Sequence, residues 1–316
     1  MNGDASNNSS GSVRQNDRLH ILLGYLEEDA GRGDITTEAL GISAQCKAEV
    51  VAKSPTVVAG MEAIKPLVEH FKLKFEVAKQ DGKRAQNGDL IFTLEGDGAV
   101  ILKLERLILN IISRMSGIAA ATNEIVEQVH GVNSDCIVAA TRKTTPGFRT
   151  FEKEAVVIGG GHPHRYDLED AVMIKDNHLK FVSDPGEALK RAMDYVSSLD
   201  EKVSTALKWG EGKPGHVQKW VEIEADTYEQ AESAVSGGAD IVMLDNMTPA
   251  EVEKAYKKLK AIRGDVLIEI SGGITSENIL DYARHADIIS LGWLTHSAPA
   301  ANFSMNVLEI QNEDKS

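Results

Sequence analysis

The sequence predicts an α/β protein in two parts, an α+β domain followed by a (β/α) barrel. Three observations carry that expectation. From Lys47 to Glu95 short strand-like segments are separated by Gly, Pro and Asn. From Glu222 onward, apolar strands alternate with amphipathic helices at a repeat of roughly 20 to 25 residues, the spacing of consecutive βα units. Chemistry-bearing polar residues stand at the ends of six strands, which suits a barrel mouth, whereas an open doubly wound sheet gathers its site at one switch point.

In chain order, residues 1–16, MNGDASNNSSGSVRQN, are small and polar and read as a disordered tail. LHILLGYLEED has helical apolar spacing and leads into AGRGDITTEAL, where Asp34 or Thr36 can cap the next segment. The strands AEVVAK, TVVAG, LKFEVA and DLIFTLEG come next. A long apolar helix, AVILKLERLILNIISRMSGIAAATNEIVEQV, comes after them, with Gly117 either a break or a close-packing point. The barrel strands are CIVAAT, AVMIKD, VEIEAD, DIVMLDN, VLIEISG and DIISLGW, and YEQAESAVSGG, PAEVEKAYKKLKAI and SENILDYARH are helices between the later ones.

Composition excludes several function classes. The 316 residues carry a formal net charge of −14, so the mean field repels phosphate, and neither nucleic acid nor an anionic membrane is an expected partner. Any bound anion needs a local cationic pocket. No apolar run approaches a membrane span and the N-terminus lacks a signal-peptide core, so a cytoplasmic protein is expected. Cys46 and Cys136 fit no zinc or redox spacing and read as buried thiols.

The strand ends supply three chemical groups. Arg142, Lys143, Arg149, His164, Arg165 and Lys175 are cationic and suit a small ligand with two or more anionic groups. The bland alternative pairs them with Glu152, Glu154, Asp167 and Glu169 on the surface. Glu224 and Asp245 each close an apolar strand in the same half of the barrel; they can bind Mg²⁺, hold ribose hydroxyls or stabilise a cationic transition state. They can equally cap the helices after them, although Thr248 in TPAE is the better cap of its helix. ISGGIT and LGWLTHS offer Gly-rich turns able to cradle a phosphate, with His296 either donating to it or merely packed. His162 and His164 straddle Pro163 and point apart on an extended chain, which disfavours a zinc site with His178. Lys175 among other cations suits either Schiff-base chemistry or carboxylate binding.

ATRKTTPGFR, GGGHPHR, IKDNH, DIVMLDN, ISGGI and LGWLTHS, in that order and spacing, resemble the quinolinate phosphoribosyltransferase family from EEDAGRGDITTEAL almost to the C-terminus. The resemblance implies the type II phosphoribosyltransferase fold, an N-terminal α/β sandwich domain plus an incomplete (β/α) barrel. The corresponding division is 17–133 for the sandwich and 134–292 for the barrel, with 293–316 packing back toward the N-terminal domain. It implies transfer of phosphoribosyl from phosphoribosyl pyrophosphate to quinolinate, with Mg²⁺, giving nicotinate mononucleotide, pyrophosphate and CO₂ in de novo NAD biosynthesis. The partners it implies are a second copy in a homodimer with shared active sites, and a hexamer as a larger assembly.

Carried over by motif, Arg142, His164, Arg165 and Lys175 bind the quinolinate carboxylates, and Arg106 reaches them from the neighbouring subunit. Lys143 meets the phosphoribosyl phosphates and, with Glu224 and Asp245, forms the catalytic set; the two acids hold ribose hydroxyls and Mg²⁺, directly or through water. Ser271, Gly272, Gly273, Gly292 and His296 cradle the 5′-phosphate, while Arg149 is left as a structural cation. No Ser/His/Asp or Cys/His pattern is needed, because charge complementarity and orientation carry the rate.

Two departures stand out: His162-Pro163 replaces the usual X-Asn, a form more typical of archaeal members, and LDEKVSTALKWGEGKPGHVQKW is longer than usual. The competing readings are a nicotinate phosphoribosyltransferase, a molybdenum-utilisation paralogue, a phosphate-ligand sensor and a Schiff-base aldolase. Intact IKDNH argues against the paralogue, the full cationic set against a mono-acid enzyme, and Glu224 with Asp245 against a sensor.

Overall fold

The computed structural model describes residues 9–182, 184–199, 203–204, 217–218 and 220–311. Two compact units emerge: one formed by residues up to Ala120 together with those from Pro299 onward, the other by Ala121–Ala298.

The first unit begins with α1 (Ser9–Ala30), which takes in half of the stretch expected to be a disordered tail. Leu22 and Leu26 are buried, and a helix nucleated by such packing extends upstream at little cost per residue. Residues 1–8 lie outside the described residues. Asp34 caps α2 (Ile35–Leu40) by accepting from the Thr36 and Thr37 amides. The sheet is antiparallel, in the order β14 (Phe303–Gln311), β1 (Gln45–Ala52), β5 (Leu90–Asp97), β3 (Lys74–Val77). β2 (Thr56–Val57) and β4 (Arg84–Ala85) form a separate short pair. Phe92 and Leu94 of β5 are fully buried, as are Ile64 and Leu67 of α3 (Met61–His70) and Ile101, Leu104 and Ile108 of α4 (Gly98–His130). That three-and-four spacing is the apolar stripe of a packed helix.

Helix α4 runs unbroken through Gly117, and a Cβ there would collide with the Pro299 carbonyl, so this glycine serves close packing. The same helix moves the unit boundary from the expected 133/134 to 120/121, because Ile125, Val126 and Val129 bury themselves in the barrel core. At the other end the barrel unit extends to Ala298 rather than residue 292, and strand β14 then pairs along β1.

The second unit is a parallel sheet in the order β6 (Ile137–Ala140), β13 (Ile288–Leu291), β12 (Leu267–Ser271), β11 (Ile241–Asp245), β10 (Val221–Ala225), β7 (Val172–Ile174). β13, the last of these strands in chain order, pairs with β6, the first. The seam lies between β6 and β7, where Ala139 makes a parallel bridge to His162. This is an incomplete α/β barrel. Its helices are α5 (Arg149–Ile158), α6 (Asp176–Leu179), α7 (Pro185–Ser198), α8 (Tyr228–Ser236), α9 (Pro249–Ile262), α10 (Ile279–Ala283) and α11 (Trp293–His296). Between α7 and β10, β8 (Val203–Ser204) and β9 (Val217–Gln218) form a short parallel pair; residues 200–202, 205–216 and 219 of the long insertion expected there lie outside the described residues.

Period-two alternation sorts the strand side chains. Val221, Ile223, Val242, Leu244, Ile268, Ile270 and Ile289 join one large core cluster. Ala139, Ile241 and Ile288, with Ile137, Trp220 and Leu267 beside them, form a separate small one. The residues two and four positions further along these strands reach the cavity at the strand ends. Among the described residues no helix is long and apolar enough to cross a membrane. Cys46 and Cys136 are free and buried, and burial pushes the Cys136 thiol up to about 12.

Candidate active site

A cavity of ≈ 490 Å³ opens at the C-terminal ends of the barrel strands. Arg142 and Lys143 enter it from the loop after β6, His164 and Arg165 from the segment after the His162 bridge, and Lys175 from the end of β7. Arg165 is nearly buried; Nη1 donates to the Ala171 carbonyl at 3.1 Å and Nη2 meets Met173 Sδ at 3.6 Å. The Nε groups of Arg142 and Arg165 are buried without an acceptor, the state of donors that an anionic ligand would satisfy. Burial, then the charge of Arg142, lowers the Arg165 pKa. Arg149 instead bonds Thr144 Oγ1 at 3.0 Å, a loop-bracing contact that fits its reading as a structural cation.

Glu224 and Asp245 share the same cavity. Lys175 Nζ lies 2.7 Å from Glu224 Oε2. The Asp245 carboxyl is raised by burial and then by the charge of Glu224. Neither acid caps a helix: Thr227 caps α8 and Thr248 caps α9, each in a capping box. Both acids line the cavity and leave the helix caps to the two threonines.

Ser271, Gly272 and Gly273 line this cavity and also an adjoining one of ≈ 410 Å³ that includes Lys143, Gly292 and His296. Gly272 has φ 82°, and a Cβ on it would lie 2.7 Å from Asp245 Oδ1 and overlap the Asn246 amide. Glycine is therefore required both by the left-handed turn and by the close approach of the carboxylate.

Sequence reasoning missed Glu222 and Glu269. Both are fully buried, and His164 Nε2 lies 2.9 Å from Glu269 Oε2 and 3.6 Å from Glu222 Oε2. Burial, then the charge of Glu269, raises the Glu222 carboxyl well above its ordinary value. Their signal was positional: Glu222 is two residues before Glu224 and Glu269 two before Ser271, hence on the same strand face. Among the described residues, His164, Glu222 and Glu269 are also the one grouping of three or more metal-ligating side chains within 4.8 Å of one another; the His162–His164–His178 grouping does not form. Arg106 is exposed on α4 of the first unit.

What the geometry offers is charge and orientation: opposed cationic and acidic walls beside a glycine-rich lobe at a barrel mouth. That equipment defines a barrel enzyme that joins anionic reactants. The chain belongs to the quinolinate phosphoribosyltransferase family: the family profiles for its N-terminal and C-terminal domains match residues 34–116 and 118–306. It is 42% identical over 266 residues to a probable nicotinate-nucleotide pyrophosphorylase (carboxylating) of Archaeoglobus fulgidus, covering 83% of this chain and 95% of that protein. It is 35% identical over 262 residues to the nicotinate-nucleotide pyrophosphorylase (carboxylating) of Homo sapiens, covering 83% and 82%. The solved nicotinate-nucleotide pyrophosphorylase of Francisella tularensis superposes with a TM-score of 0.81 at 29% identity, over 93% of this chain and 97% of that one.

Proposed function

We infer that the protein is a carboxylating nicotinate-nucleotide pyrophosphorylase. It transfers phosphoribosyl from phosphoribosyl pyrophosphate to the ring nitrogen of quinolinate and releases CO₂, giving nicotinate mononucleotide and pyrophosphate. The observation that carries this reading is the single cavity in which Arg142, Arg165 and Lys175 face Glu224 and Asp245.

In this reading the cations hold the two ring carboxylates and orient the nitrogen. Loss of pyrophosphate leaves an oxocarbenium-like ribosyl centre, which Glu224 and Asp245 stabilise electrostatically. Attack makes the pyridine nitrogen cationic; when the adjacent carboxylate leaves as CO₂, the electron pair stays on the ring carbon, that positive charge stabilises it, and a proton from solvent then completes the C–H bond. Lys143 and the Ser271–Gly273 turn receive phosphate groups, with Gly292 and His296 completing the second lobe. Glu224 and Asp245 also suit a divalent cation, since burial and then the charge of Glu224 raise Asp245, and a cation offsets both. Mg²⁺, when bound there, supplies charge neutralisation for the leaving pyrophosphate. The enzyme works in the cytoplasm as a homodimer in which Arg106 of one subunit completes the site of the other.

Two experiments test this. CO₂ release from quinolinate is expected only when phosphoribosyl pyrophosphate and Mg²⁺ are both supplied; turnover of nicotinate but not quinolinate overturns the assignment. Inactive Arg106→Ala and Lys175→Ala proteins are expected to regain activity on mixing, and no recovery despite subunit exchange rejects the shared site.

A further inference from the structure

Helix α5 carries two consecutive ionic residues in full burial. Glu152 accepts from the Thr145 amide and hydroxyl, each at 2.9 Å, on the loop that bears Arg142 and Lys143. Lys153 is 2% exposed, and its Nζ donates to the carbonyl oxygens of Pro163 and, at 3.3 Å, of Arg165. Those carbonyls flank His164, which holds φ 55°. A left-handed histidine persists where its surroundings impose it. The Arg165 amide donates to His164 Nδ1 at 2.6 Å, and His164 Nε2 is anchored at Glu269.

We propose that Lys153 is a positioning residue for the dicarboxylate substrate: by tying the carbonyls on either side of His164, it holds His164 and Arg165 against the cavity. The proposal rests on the reading of those two residues as carboxylate-binding groups. Lys153 never needs to touch substrate, and its effect falls on the ring acid rather than on the sugar phosphates.

The groups facing Lys153 are Arg149 on its own helix, Arg142 after β6, His162 and Arg165 on the segment it ties, and Asp170 ahead of β7. Burial, then the charge of Arg149, lowers its amine from 10.5 to about 7, while burial lowers His162 to about 3 and leaves it neutral. A charged ammonium is the stronger donor, so the tie weakens as pH rises through about 7. Fold stability runs the other way. The folded pKa lies below the unfolded one, so burying the charge costs most below pH 7, and the cost is removed as pH rises toward 10.5. Opposite slopes separate positioning from folding.

The test is the KM for each substrate, with thermal midpoints, for wild type and Lys153→Met between about pH 6 and 8. Expected at the acid end is a roughly tenfold higher quinolinate KM in Lys153→Met, with the phosphoribosyl pyrophosphate KM within about twofold. The variant is expected to be at least as thermally stable as wild type and to lose the wild type's rise of quinolinate KM with pH. An unchanged quinolinate KM, or parallel loss for both substrates with a lower midpoint, overturns the proposal. Absence of quinolinate turnover in the wild type overturns the proposed function itself, a result that needs no variant.

Discussion

The cationic and acidic walls of the cavity are built on different principles. Glu224, Asp245 and Ser271 lie at the last positions of β10, β11 and β12 or one residue short, and sheet register aligns Asp245 with Ser271. Strand alternation alone aims them inward. Arg142, Lys143, His164 and Arg165 sit on connections flanking the open seam, beyond the single bridge of Ala139 to His162 and outside any strand. They are placed by buried braces: Glu152 on Thr145, Lys153 on Pro163 and Arg165, and Glu269 on His164. A wall on strands inherits its geometry from the sheet, whereas a wall on loops needs polar groups committed behind it. Those braces are costly, since each is an ionisable group out of water.

This contrast can be broken or sharpened by substitution. The largest effect is expected on the acidic wall: Glu224→Gln or Asp245→Asn should lower kcat by about 10²–10³-fold, with thermal midpoints near wild type. Steady-state rates at saturating substrates check this, and a change in KM alone would move these acids from transition-state to ground-state binding. Next comes Gly272→Ala, which forces a Cβ onto Asp245 and Asn246. It should cost roughly 10- to 100-fold in kcat/KM for phosphoribosyl pyrophosphate, and a near-normal value would show that the turn is not a phosphate cradle. Glu152→Ala leaves the Thr145 donors without their acceptor and should cost about 1–3 kcal/mol in denaturant unfolding, with a several-fold higher quinolinate KM. Stability loss without any KM change would make this brace purely structural. Arg149→Ala, which removes one bond to Thr144, should change kcat/KM by less than about threefold; a larger loss would return Arg149 to the site.

Legibility followed the same divide. All six barrel strands were readable from apolar runs between turn signals, and so were Glu224, Asp245 and the ISGG turn at their ends. Strand β14 was not, because its partner β1 lies far upstream and its pattern is too exposed to mark a core strand. Glu222 and Glu269 had the correct parity, yet an acid inside an apolar strand reads as solvated until its buried partner is known. That partner, His164, is far away in sequence. Lys153 was hidden for the same reason, as one charge in a helix where charges usually face water.

By itself the sequence determined the α/β class, the barrel, the family, and which residue types gather at the strand ends, because periodicity and motif spacing are local properties. Only the tertiary structure decided where α4 divides the units, which acids cap helices and which face the cavity, and how the loop cations are held. These outcomes depend on burial and on hydrogen bonds between distant segments. The free energy of a buried charge is set by its neighbours in space, and chain order does not name them.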